Sequence, residues 1–276
     1  MRPRHAALLS YSVVLTSGCD GAPEEPATCP LEAAPSAQPV GGDANGDGHV
    51  DVSDGAYLGR AAFAAGPAPA CEAAVDLVPD ASFNVGDIVA LWYAVGAKTA
   101  PYLPDVSAED CPQAERTASP PCGEGLALGI DTLAEVPLGS FPATVTVTSP
   151  SLPVEAWSFT LTASGCTLES GTTAGTLAAD KADGTSGLRD SGVAWQSVTA
   201  AEAHVLTVLD WRTQATLPTG GARAVHTFTV TAASCGTCAL TLTPGDPAVG
   251  VESVVSAQGW RYVPALGSAR VEICAG

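Results

Sequence analysis

Lysine is almost missing from this chain: Lys98 and Lys181 are the only two in 276 residues, and 11 Lys and Arg face 29 Asp and Glu. The net charge of -18 repels phosphate backbones, which removes nucleic acid as a partner and favours cations. Histidine is scarce as well. Of four, His5 lies at the N-terminus and His49 in an acidic loop, leaving His204 and His226 in strand-like segments. No Gly-x-Ser-x-Gly elbow, phosphate loop or His-Glu-x-x-His helix occurs, which excludes the commonest hydrolase and nucleotide sites. Glycoside hydrolysis needs only two carboxylates, and Glu135, Glu155, Glu169, Glu202, Glu252 and Glu272 qualify by type, but spacing alone brings no two together. No catalytic residue is assigned. Beyond the first residues no run is long and apolar enough for a membrane helix. What abounds is Ala, Gly, Pro, Thr and Val, a bias that suits strands and turns. With 46% apolar residues the chain can bury a core.

The N-terminus has the form of an export signal. Arg2, Arg4 and His5 are followed by an apolar stretch, Ala6 to Ser17, too short to span a bilayer, and then by Gly18-Cys19. Leu15-Thr16-Ser17-Gly18-Cys19 resembles a bacterial lipobox with its aliphatic residue one place further out. That resemblance implies lipidation of Cys19 and a cell-surface or periplasm-facing protein held to the membrane only by its lipid; plain cleavage and secretion, with Cys19 incidental, is the other outcome. Cysteine parity bears on the choice. Nine cysteines leave a spare thiol in an oxidising compartment, whereas removing Cys19 to a lipid leaves eight that can pair fully. Cys111 with Cys122, or Cys29 with Cys71, each closes a segment at a domain edge. Cys235-Gly-Thr-Cys238 lacks a thioredoxin-like context and a second two-residue-spaced pair, so structural bridging is expected of both.

Composition divides the rest. Residues 20–40, rich in Pro, Ala and Glu, form a tether; 41–100 hold two acidic loops; 101–124 collect Pro101, Pro104, Pro112, Pro120 and Pro121 as a stiff connector. From 125 to 276, short segments alternate apolar and polar residues between Gly, Pro and Ser punctuation, the pattern of an antiparallel β-sandwich of eight or nine strands. Trp157, Phe159 and Leu161 should share one face of a strand, with Ala156, Ser158 and Thr160 on the other. The fold class expected is therefore multidomain: a small helical loop pair followed by a sandwich.

The first loop, Asp43 to Asp54, is the most specific signal in the sequence. Asp43, Asn45, Asp47, Asp51 and Asp54 place side-chain oxygens at positions 1, 3, 5, 9 and 12, His49 offers its carbonyl at position 7, and Gly48 stands at position 6. A hard cation takes six to eight oxygens, alternate residues of a tight loop point inward together, and glycine accepts the torsion a side chain resists. The arrangement resembles an EF-hand calcium loop, with Asp54 in place of the usual glutamate. A second loop, Asp76 to Asp87, keeps Asp76, Asp80, Ser82, Asn84 and Asp87, but Val78 removes the ligand at position 3 and Ala81 the glycine at 6, so weaker binding is expected. Val50 and Phe83, apolar at position 8, should pair the two loops through their backbones. The chain's only two asparagines, Asn45 and Asn84, both fall at ligand positions.

After each loop comes a short amphipathic segment: Ala56, Tyr57, Leu58, Ala61 and Phe63 after the first, Ile88, Val89, Leu91, Trp92 and Val95 after the second. Residues 41–97 thus resemble a type I dockerin, the duplicated calcium-loop-helix module that docks onto cohesin domains. The resemblance implies cohesin contacts through loop positions 10 and 11 and the following helix, here Val52, Ser53, Gly59 and Arg60, and Val85, Gly86, Trp92 and Tyr93. It also implies Ca2+ as cofactor and a cohesin-like domain as partner, in trans or on the chain's own sandwich. More weakly, Ala156–Leu161, Ala224–Val230 and Gly267–Ile273 resemble strands of cohesin-like and carbohydrate-binding-module sandwiches. The function expected is a non-catalytic, calcium-stabilised docking protein. Two alternatives remain open: a polysaccharide-binding or polysaccharide-degrading component attached through its dockerin, and a loop pair that packs on its own sandwich and recruits no other protein.

Overall fold

The computed structural model describes residues 40–63, 65–69, 71–80, 82–97, 103–107, 109–111, 124–179, 193–209, 215–245 and 251–274. The export signal with Cys19, the tether, Cys29 and Cys122 lie outside them. Three helices come first, α1 (Val52–Phe63), α2 (Glu72–Val75) and α3 (Val85–Ala97). Thirteen strands follow among the described residues, more than the eight or nine expected, because short edge strands such as Glu135–Val136 and Ala265–Leu266 carry no readable alternation.

The strands form two sheets. In the first, β1 (Ala127–Asp131), β3 (Gly139–Ser149), β5 (Thr167–Thr172), β8 (Gly220–Ala232) and β12 (Ala265–Leu266) run in the order β12-β1-β3-β8-β5. In the second, β4 (Ala156–Ser164) is the pivot: β10 (Val254–Ala257) and β9 (Gly236–Thr243) share one of its edges, and β7 (Glu202–Val208), which carries β6 (Val193–Val198), lines the other. β11 (Trp260–Tyr262) extends β10 as a hairpin, and β13 (Ser268–Ile273) with β2 (Glu135–Val136) extends β9. Pairing is antiparallel except for β1 with β12 and β13 with β2.

The core between the sheets holds Trp157, Phe159 and Leu161 from β4, facing Val145, Val147, Phe228 and Val230. The alternation read from the sequence therefore has its expected sense. In β8 it is interrupted at a bulge opposite Val145 and Thr146, which turns both Val225 and His226 inward. Two disulfides fasten this body, Cys166–Cys238 and Cys235–Cys274. A third, Cys71–Cys111, corrects both expected pairings: Cys71 pairs neither with Cys29 nor Cys111 with Cys122. The reason is that the connector folds back before it leaves. Val106 and Cys111 pack against Ala74, and Pro104 lies against Gly41, so residues 103–111 belong to the helical module.

That module is seated on the outer face of the second sheet. Val52, Ala56, Leu58, Leu91 and Trp92 share one buried cluster with Ala156, Leu206, Val208 and Val254 of β4, β7 and β10. Those three strands are therefore buried on both faces, as the near-continuous apolar run Val205-Leu206-Thr207-Val208-Leu209 requires.

Candidate functional site

The two acidic loops close in the same way. In the first, the backbone N–H of position 5 donates to position 1 (Asp47 to Asp43 Oδ1, 2.9 Å), 7 to 5 (His49 to Asp47 Oδ1, 3.0 Å) and 11 to 9 (Ser53 to Asp51 Oδ1, 2.7 Å). The carboxylate at position 12 then accepts from positions 3 and 9, Asn45 to Asp54 Oδ1 at 3.2 Å and Asp51 to Asp54 Oδ2 at 2.9 Å. The second loop repeats all five: Asp80 to Asp76 Oδ1, Ser82 to Asp80 Oδ1, Gly86 to Asn84 Oδ1, Val78 to Asp87 Oδ1 and Asn84 to Asp87 Oδ2. The bonds between positions 9, 11 and 12 are also helix caps. Asp51 and Asn84 cap α1 and α3, and Asp54 and Asp87 reach back to the capping residues' own N–H groups.

Within this shared frame the loops differ in burial. Asp43, Asn45, Asp51 and Asp54 are buried, Asp47 and Gly48 partly so, and His49 is exposed. Of the oxygen-bearing side chains of the second loop Asp87 alone is buried; Asp80 and Ser82 are exposed and Asp76 and Asn84 half-buried. Gly48 takes the left-handed torsion its position requires, φ +87°. Val50 and Phe83 pack into the same cluster, but no backbone bridge joins them, which corrects the expected pairing.

Burial sets the electrostatics. Desolvation raises the Asp43 carboxyl to about 6, with the Asp47 charge adding to it. Asp47 is raised first by burial and then by Asp51. Asp54, fully enclosed, is driven well above the carboxylate range by burial and then by Asp51, Asp47 and Asp43. In the second loop Asp80 moves the other way, lowered by its Ser82 hydroxyl partner. The first loop is thus a set of mutually repelling acids with three of its four carboxylates buried, whereas the second buries only Asp87 and leaves Asp80 in water. Among the described residues no three His, Cys, Asp or Glu side chains already converge as a cage. The oxygens of the first loop, five side chains and the His49 carbonyl, match in type and number what a hard divalent cation takes.

The first copy also makes the contact with the sandwich. Arg60 Nη1 on α1 lies 3.2 Å from Glu155 Oε2, and Arg261 Nε on β11 lies 2.7 Å from Asp51 Oδ2. Each side contributes one acid and one base. Glu155 also accepts from Gly259 N, and Arg261 Nη2 donates to Glu252. Burial raises Glu155 even against the Arg60 charge beside it. Ser53 Oγ donates to Asp51 Oδ1 at 2.7 Å, and Val52 is fully buried in the interface cluster.

The residues expected to meet a partner therefore separate. Val52 is buried in the cluster shared with the sandwich, Arg60 is partly buried in its pair with Glu155, and Ser53 is buried against Asn45 and Asp51 of its own loop. Trp92 packs between the helices, its ring so close that a Cβ on Gly55 would lie 2.2 Å from it. Val85 and Tyr93 are exposed on α3, Tyr93 at 65%. Four of the acids weighed for glycoside hydrolysis are engaged separately: Glu155 with Arg60, Glu252 with Arg261, Glu202 with His204 and Glu272 with Thr237. Sequence reasoning did not single out Glu155, Gly259 or Arg261 as interface residues. The apolar run in β7 was the available signal that its outer face is covered.

No family model matches the chain, and no curated protein matches it. Among solved structures it is similar to a cohesin module from a family 33 glycoside hydrolase of Clostridium perfringens, at 16% identity and a TM-score of 0.38, covering 54% of this chain and 96% of that one. It is also similar to a non-cellulosomal cohesin from Archaeoglobus fulgidus, at 12% identity and 0.39, covering 54% and 91%. A third is the sixth cohesin of scaffoldin B from Acetivibrio cellulolyticus, solved in complex with a Cel5 dockerin, at 17% and 0.39, covering 54% and 99%. The two-sheet sandwich stands on its own strand pairings.

Proposed function

We propose that the chain is a non-catalytic, calcium-stabilised docking protein in which a dockerin-like loop-helix pair occupies a cohesin-like sandwich of the same polypeptide. One observation carries this reading: two loops with the same five backbone-to-side-chain bonds, of which the first is buried against the sandwich through reciprocal ion pairs. In that loop Asp43, Asn45, Asp47, Asp51, Asp54 and the His49 carbonyl would hold Ca2+, and the ion would offset the repulsion among four acids that burial has taken from water. Its role is structural. The second loop, with Asp76, Asp80, Ser82, Asn84 and Asp87, is the weaker site, since Val78 supplies no oxygen at position 3 and Asp80 and Ser82 stand exposed to water.

Docking in cis uses Val52 and Arg60, so a partner in trans has the second copy left to it, where Val85 and Tyr93 are exposed. The export signal and the pairing of cysteines are consistent with a protein that works outside the cytoplasm, lipid-anchored at Cys19. A calcium-dependent pull-down with the full chain tests the proposal together with its mass in solution. A monomer whose module resists proteolysis in calcium and is cut between 41 and 97 in EGTA is expected; a module equally resistant in both sinks the calcium role.

A further inference from the structure

Besides the neighbouring Val40 carbonyl, which accepts from Asp43 N, two groups from outside the first loop hydrogen-bond to it among the described residues, and both belong to the β10–β11 hairpin. Gly259, in the turn of that hairpin with φ +76°, presents its carbonyl to Asn45 Nδ2 at 3.4 Å, and Arg261 presents Nε to Asp51 Oδ2 at 2.7 Å. Asn45 Nδ2 also donates to Ser53 Oγ at 3.1 Å and to Asp47 Oδ2 at 3.0 Å, while its Oδ1 accepts from Asp47 N at 2.9 Å. The sense of this amide is therefore set: its NH2 faces the hairpin carbonyl, Ser53 Oγ and Asp47 Oδ2, and its oxygen faces the Asp47 N–H. Asp51 is held as firmly. Oδ1 takes two bonds from Ser53, and Oδ2 is aimed by Arg261, whose other arm is fixed by Glu252. The second loop has Val78 where the first has Asn45, and Asn84, which stands where the first has Asp51, is supported only from within: among the described residues its side chain bonds to Asp80, Ser82 and Gly86 of its own loop.

We infer that the β10–β11 hairpin is the outer wall of the first cation site and that Arg261 is its positioning residue, so that cation binding and seating of the module on the sandwich strengthen each other. The inference rests on the calcium reading of the first loop. Its physical basis is pre-organisation: when the module lifts off, Asn45 and Asp51 regain rotamers that a cation must then order. Linkage makes the effect reciprocal, so whatever factor seating adds to cation affinity, the cation adds to seating. The guanidinium spans two carboxylates with two different nitrogens, which a lysine ammonium at the end of a flexible stem does not reproduce.

The test is a calorimetric titration of CaCl2 into the chelator-treated full chain, below the onset of melting, for the unmodified protein, Arg261→Gln, Arg261→Lys and Glu155→Gln. Weakening of the tight site by about fivefold or more is expected in all three variants, a coupling of ordinary size. Hydrogen exchange at Gly259 N, which donates to Glu155, should slow on adding calcium to the unmodified protein by a similar factor. A merely structural Arg261 would lower the calcium-free melting temperature and leave the dissociation constant alone. Should Arg261→Gln fail to fold, Glu252→Gln loosens the same guanidinium without removing it. Unchanged affinity in the folded variants overturns the coupling and leaves the calcium reading standing; no tight site in the unmodified protein overturns both.

Discussion

The two acidic loops share a backbone and differ in where they sit. Both close through the same five bonds and both cap a helix, yet only the first is buried against the sandwich, where burial pushes the Asp43 and Asp54 carboxyls up in pKa. Burial of the first loop leaves like charges close together with little water to separate them, which is the repulsion that the proposed cation would offset. Fold and charge are divided between the copies. The second copy keeps the shape and exposes its helix, with Val85, Val89 and Tyr93 on the surface.

The largest expected difference between the copies is in calcium response. Saturating calcium should stabilise the module by about 4 kcal/mol at a thousandfold excess over the dissociation constant. Asp43→Ala removes most of that gain and Asp76→Ala little, read from melting followed by circular dichroism. Next comes the interface. Glu155→Ala leaves Arg60 without its partner in a mostly enclosed site and should cost about 3 kcal/mol or more, because a buried charge is stranded. An equal effect from Tyr93→Ser, which should stay within about 0.5 kcal/mol, would erase the distinction between the copies.

The pH responses should separate module from sandwich. Asp43 has its folded pKa raised from 3.8 to about 6, so its contribution favours folding below pH 4 and is lost as pH rises through 6. In EGTA the module should lose up to about 3 kcal/mol across that window, and calcium should abolish the loss. His226 acts in the opposite direction. Its Nε2 lies 3.0 Å from Gln196 Oε1, whose amide is oriented by a bond to Gly171 O, and burial lowers its pKa from 6.5 to about 4. The neutral ring suits the fold above pH 6.5, and the sandwich should weaken as pH falls towards 4; His226→Gln should flatten that limb of the melting curve.

Much of this was legible in the residues. Period-two alternation in Ala156 to Leu161 marked a core strand, and oxygen side chains at alternating loop positions marked both acidic loops before any coordinates. The disulfide pairing was not legible, because Cys71 finds Cys111 only once residues 103–111 fold back on Ala74. The seating of the module was hidden for a similar reason. Arg60 and Glu155 lie 95 residues apart, and Asp51 and Arg261 lie 210 apart, distances over which a pattern read locally carries no register. Trp92 illustrates the ambiguity of aromatics, equally suited to a docking face and to the gap opposite Gly55.

The first loop is the proposed cation site. Titration calorimetry with CaCl2 on the full chain and on Asp43→Ala and Asp76→Ala measures this directly. One tight site, lost in Asp43→Ala and kept in Asp76→Ala, is the predicted result; no heat of binding, or a tight site that follows Asp76 instead, would contradict it.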